Sequence, residues 1–189
     1  NEREFSEFLK LNFKDLSVKN IIVSLPEEKV FLDIIEIPKM NFNNIRTVLN
    51  TQFENYFPLK EKDAIFDYDV LNPISGDFFD IAVAAYPRSI INSYKNALNL
   101  AGFLPLVFES ESESLKRSLV KENDMDFKLL IDFGKTRTGC VIIREGKVIF
   151  TSTAKIGGED IDKLIARSLG ININEAEKIK KEKGKISMS

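Results

Sequence analysis

Hydrophobic positions along the chain alternate between a spacing of three to four and a spacing of two, and the switches mark out the elements. Residues 2–13 place apolar side chains at 5, 8, 9 and 13, a helical stripe. The run 20–26 reads as a short buried strand ended by Pro26, and 29–39 as a second strand that stops at Pro38. Over 41–57, Phe42, Ile45, Val48, Leu49, Phe53 and Phe57 share one helical face, with Asn41 as the N-cap and Pro58 as the stop. Residues 64–71 alternate as a half-buried strand, the NPISGD segment at 72–77 reads as a turn, and 78–86 is the next strand. An amphipathic helix over 88–103, stopped by Gly102, leads to a strand at 104–109 and a helix over 110–120. The polar linker 121–126 sets a boundary; three strands follow between 129 and 154, then helices over 158–170 and 174–184. No repeat of fixed period is visible.

This order describes an α/β chain with one unit set inside another. Residues 27–86 form a strand–helix–strand–strand unit, expected to close its own core around Phe31, Ile35, Ile45, Leu49, Phe53, Phe66 and Val83. It is framed by 1–26 and 87–125, which belong to a parent layer, and 126–189 begin a second layer. The junction of insert and parent is expected to leave a cleft for an extended peptide, with side chains near Ile35, Ile37 and Phe57 lining it.

Composition narrows the function classes. The 189 residues carry 27 basic and 29 acidic side chains, so no global field draws the chain to nucleic acid or to a membrane surface. Histidine is absent, which removes Ser-His-Asp and Cys-His chemistry and nearly every ordinary zinc site. Cys140 stands alone inside an apolar run and reads as a structural thiol in a reducing cytoplasm. No apolar run approaches the roughly 20 residues that span a bilayer, so direct membrane insertion is not expected. The sequence opens at Asn1 without Met, which suggests a fragment.

The chemistry concentrates in residues 129–162, LLIDFGKTRTGCVIIREGKVIFTSTAKIGGEDID. An apolar run ending in Asp132 puts a carboxylate at the tip of a strand, where α/β proteins bind ligands. Gly134, Thr136, Thr138 and Gly139 then build a hairpin whose amides and hydroxyls suit an anion. Gly157 and Gly158 open a helix, where close backbone approach and the positive end of the dipole also suit one. Such a set fits a phosphate with its Mg²⁺; it equally fits an ordinary tight hairpin beside a capped helix.

The same segment resembles the second phosphate motif of the actin–chaperone–sugar kinase superfamily of ATPases. IGGEDID is similar to the Gly-Gly segment of the heat-shock chaperone branch, and AEKIKK resembles the helix that contacts the ribose there and in FtsA. Together with NIIVSLPEEKVFLDIIEIPK, FENYFPLKEKDAIFDYDVL and ALNLAGFLPLVFESESESLKRSL, it resembles the PilM family, the cytoplasmic actin-like proteins of type IV pilus assembly, over almost the whole chain. FtsA is a more distant resemblance, and a polymerising, ATP-hydrolysing division protein is the alternative it raises. A sugar kinase is a weaker third, which the inserted unit argues against.

The resemblance implies an incomplete actin-like ATPase (ribonuclease H-like) fold whose insert is the SHS2 unit of this superfamily. It implies that ATP and Mg²⁺ bind the full-length protein, with Asp132 holding Mg²⁺ through water and Gly134, Thr136 and Thr138 lining the phosphate loop. Gly157 and Gly158 would pass beneath the sugar and phosphates, Glu177 and Lys180 would reach the ribose, and Glu111 would orient the attacking water. Hydrolysis would be slow or absent, and the fragment inactive. The implied partner is the cytoplasmic tail of an inner-membrane PilN-like protein, which would hold the chain at the inner face of the cytoplasmic membrane; contact with pilus motor ATPases and an oligomer are also compatible. Two departures stand out. Where actin-like loops often read Asp-x-Gly-Gly-Gly-Thr, this loop carries Lys135, Thr136 and Arg137. The first phosphate hairpin and the last subdomain of the family are expected outside the sequence.

Overall fold

The computed structural model describes residues 2–71 and 76–184. The chain divides into two compact units, Asn1–Lys128 with Ile142–Thr151, and Leu129–Val141 with Ser152–Ser189. Most of the turn expected at 72–77 lies outside the described residues.

In the first unit, α1 (Glu2–Phe13) lies against α3 (Arg88–Ala101), and β1 (Asn20–Leu25) pairs in parallel with β5 (Leu104–Ser110). Between β1 and α3 run β2 (Phe31–Pro38), α2 (Phe42–Tyr56), β3 (Ala64–Leu71) and β4 (Phe78–Pro87). These strands form an antiparallel sheet in the order β2-β4-β3. α2 starts where Asn41 accepts from the Asn43 amide, and its Ile45, Leu49 and Phe53 repeat every fourth residue on one stripe. That stripe packs on Ile35, Ile37, Phe66, Ile81 and Val83, and each large side chain so buried is worth about 1.5–3 kcal/mol. Phe53 stacks on Phe57 at 4.8 Å and meets Phe66 at 5.1 Å, while the Arg46 guanidinium covers Phe66 at 4.2 Å. Gly102 ends α3 in the left-handed region, φ 89°.

The opposite face of the same sheet meets a second, smaller core of Leu25, Tyr86 and Ile91, joined by Phe108 and Ala84. A 3-10 turn over Glu27–Lys29, which the strand pattern does not announce, separates β1 from β2. Beyond it, α4 (Glu111–Leu119) is capped by Ser110.

β6 (Lys128–Phe133), β7 (Thr138–Arg144) and β8 (Lys147–Ala154) form a three-stranded sheet in chain order, followed by α5 (Gly158–Leu169) and α6 (Ile173–Lys183), which pack together. The chain first passes between the compact units after Lys128, just beyond the polar linker 121–126, and rejoins the first unit over residues 142–151. Residues 142–151 group with the first unit because Arg144 bonds Asp80 at 3.3 Å, and Lys147 bonds Asp69 and the Val70 carbonyl. Cys140 is half-buried in β7.

Candidate functional site

In the second unit the β6–β7 hairpin and the start of α5 are built against one another. Gly134 N donates to Arg137 O and closes the turn. Gly158 N donates to Gly134 O at 2.9 Å and Glu159 N to Lys135 O at 2.8 Å, so these first amides of α5 are spent on the hairpin backbone. Asp160 accepts from Gly157 N, and that bond, with the Lys163 ammonium behind it, holds its carboxyl below the usual range. A Cβ on Gly157 would sit 2.6 Å from Lys135 O and 2.8 Å from Arg137 N. Gly157 is therefore dictated first by the hairpin pressing on it, a reason the spacing does not disclose.

The residues expected to hold a nucleotide divide by what already engages them. Asp132, at the end of β6, and Thr136, at the hairpin tip, are exposed. The Thr138 hydroxyl instead donates to Ile156 O at 2.7 Å and ties the hairpin to the segment before α5. On α6, Glu177 pairs with Lys181 at 2.8 Å, and that bond lowers its carboxyl from the usual range. Lys180 reaches across to α5, donating to Gly158 O and to the buried carboxylate of Asp162, each at 2.7 Å. Asp162 carries no signal in the sequence beyond being one of three acids in GGEDID; its burial comes from the packing of α6 on α5.

The donor set fits a Mg²⁺–phosphate group in part. Asp132 and Thr136 offer a carboxylate and a hydroxyl at a strand end, and Lys180 keeps one of its three N–H groups beyond the two acceptors named. Among the described residues no group of three or more acidic, Cys or His side chains could hold a metal. Mg²⁺ at Asp132 would therefore take most of its ligands from phosphate and water, as that ion commonly does. Such a group, when bound, supplies charge neutralisation at the phosphates.

Glu111 stands in the first unit, at the first position of α4. Its carboxylate accepts from Glu27 N at 3.2 Å, while the Glu27 carboxylate accepts from Ser112 N and Ser112 Oγ, both at 3.1 Å. Each glutamate thus caps the other's helical start, α4 on one side and the 3-10 turn on the other. The geometry gives Glu111 a structural bond that its expected role near a water does not require.

A groove in the same unit opens on the sheet face away from α2. It encloses about 250 Å³, with apolar lining from Leu32, Ala82, Ala84, Phe108 and Val148. Ile35, Ile37 and Phe57, expected to line a peptide cleft, are instead buried beneath α2, at 5% exposure or less. Alternation along β2 correctly separates two faces, but α2 takes the odd-numbered one. Charged side chains also line the groove, and each has a partner: Asp67 with Arg46, Asp69 with Lys147, Glu109 with Arg117 and Glu113 with Lys116.

A family model described as type IV pilus assembly protein PilM matches residues 3–187. Among solved structures, a PilM–PilN type IV pilus biogenesis complex superposes with a TM-score of 0.74 at 23% identity, covering 97% of this chain. The cytoplasmic domain of EpsL, an inner-membrane component of the type II secretion system of Vibrio cholerae, matches with a TM-score of 0.54 at 14% identity over 90% of this chain. The chain spans 57% and 61% of the lengths of those two chains. MreB5 of Spiroplasma citri bound to AMPPNP matches over 49% of this chain with a TM-score of 0.42. The fold is that of the PilM family, of whose solved member this chain spans 57%.

Proposed function

Because the chain belongs to the PilM family of type IV pilus assembly proteins, we propose that it is the adaptor part of a cytoplasmic, actin-like protein that takes the tail of a PilN-like inner-membrane protein. No described helix is long and apolar enough to cross a membrane; in this reading the partner's tail holds the protein at the membrane. The observation that carries the reading is the groove behind the inserted sheet. Leu32, Ala82, Ala84, Phe108 and Val148 give it apolar lining of the kind that side chains of an extended segment fill, and the small alanines of β4 make the room. Since every carboxylate in the lining is paired with a cation of the chain itself, the groove favours apolar and main-chain contacts over net charge.

In the full-length protein, Mg-ATP binds at Asp132 and Thr136 with Lys180 nearby and serves the fold more than turnover. Asp132 orders the metal's water shell, and Thr136 donates to a phosphate oxygen. Hydrolysis is slow or absent, since Glu111 is tied to the Glu27 amide.

Fluorescence anisotropy with a labelled PilN-like tail tests the reading. The full-length protein binds the tail, the affinity changes less than about threefold between low and physiological salt, and Ala84→Glu abolishes binding by filling the groove with a charge. No binding, together with steady ATP hydrolysis or filament formation, would replace this reading with that of an FtsA-like division protein.

A further inference from the structure

Asp162 is 3% exposed on α5, and one of its oxygens, Oδ1, is buried without a hydrogen-bond partner among the described residues. A buried carboxylate in that condition is costly unless a cation compensates it. The compensating group is Lys180, whose Nζ lies 2.7 Å from Asp162 Oδ2. The same Nζ lies 2.7 Å from Gly158 O, at the glycine pair under the hairpin. Two acceptors at fixed positions leave a tetrahedral ammonium one N–H, and its direction is set by the other two. A lysine at the end of a flexible stem otherwise loses much of its binding energy to ordering; one already held by two acceptors has met that cost on folding.

We propose that Asp162 is a positioning residue of the nucleotide site: it holds the Lys180 ammonium against the Gly158 carbonyl so that the remaining N–H is presented to an oxygen acceptor of the nucleotide. This rests on the nucleotide reading given above. Glu177, paired with Lys181, is not part of the arrangement. Asp162 touches no ligand itself; its effect reaches the nucleotide through Lys180.

The test is a double-substitution cycle on Mg-ATP affinity in the full-length protein, measured by calorimetry. Lys180→Met weakens binding about tenfold or more, as loss of a charge-assisted hydrogen bond does. Asp162→Asn, which keeps shape and removes the charge, weakens it about three- to tenfold alone and changes nothing further when Lys180 is already Met. Independent effects that simply multiply would overturn the proposal. A second readout needs no nucleotide and no variant that risks misfolding: acetic anhydride should label Lys180 at least tenfold more slowly than the exposed Lys178 and Lys183 of the same helix, and Mg-ATP should slow it further. Labelling of Lys180 at the rate of its neighbours would likewise refute it. Failure of the unaltered full-length protein to bind Mg-ATP sinks the nucleotide reading and the proposal together, whereas binding with a multiplicative cycle sinks the proposal alone.

Discussion

Replacing Gly157 and Gly158 separately by alanine distinguishes packing from ligand contact as the reason for the glycine pair. Gly157 is extended, φ −153° and ψ −168°, a conformation any residue adopts, so the cost of Gly157→Ala does not lie in its own backbone. It lies in the new methyl, which would stand 2.6 Å from Lys135 O, 2.7 Å from Lys135 C and 2.8 Å from Arg137 N. Those are backbone atoms of a closed hairpin and have no rotamer to change. Overpacking of this kind costs about 1–3 kcal/mol. If the hairpin retreats, the bonds from Gly158 N and Glu159 N to it stretch, and each is worth about 1 kcal/mol net. The total is about 3–5 kcal/mol if both bonds are lost, and nearer the overpacking cost alone if they are kept. At Gly158 the nearest contact is Lys180 Nζ at 3.3 Å, a side-chain atom that needs to give only slightly and can do so while keeping its bonds to Gly158 O and Asp162. Alanine is also the better helix former there by up to about 1 kcal/mol, so Gly158→Ala should change stability by less than about 1 kcal/mol. Native-state hydrogen exchange at the Gly158 and Glu159 amides reads this local free energy without requiring the two units to unfold together. Equal costs at the two positions, or protection unchanged in Gly157→Ala, would refute the reasoning.

Two further outcomes follow from single groups. In the full-length protein, Asp132→Ala should weaken Mg-ATP about 10- to 100-fold, the usual loss for an outer-shell metal partner, and leave metal-free ATP binding unchanged in calorimetry. Burial, followed by the nearby Glu27 charge, pushes the Tyr86 phenol up to about 12, so its neutral form is favoured in the fold. A raised value contributes stability that is complete below about pH 10 and lost as pH rises toward 12, on the order of 3 kcal/mol; Tyr86→Phe should flatten that alkaline slope in urea titrations.

Elements were legible where the local chemistry and the tertiary packing agree. Asn41 accepts from Asn43 N, Gly102 takes a left-handed φ, and the stripe Ile45, Leu49, Phe53 finds the sheet its period demands. Boundaries drifted by a residue or two where a segment changes partner. Pro26 ends β1, but the three residues after it form a 3-10 turn because Glu111, 84 positions away, accepts from the Glu27 amide. No window of sequence contains that bond. The same limit applied to the candidate site: spacing singled out Thr138 and Lys180, but not that Thr138 is bonded to Ile156 O or that Lys180 is held by a buried Asp162.

β4 shows why the groove opens on the face of the inserted sheet opposite to the one expected to line a peptide cleft. Its stretch Ile81–Ala85 is apolar at every position, the pattern of a central strand covered on both faces. Ile81 and Val83 are large and fill the space beneath α2, where Ile35 and Ile37 also go. Ala82 and Ala84 are small; the second core covers part of their face, and beside it Leu32, Phe108 and Val148 surround a groove. Size, not hydrophobicity, alternates over Ile81–Ala84, and the smaller pair lies on the side where the groove opens.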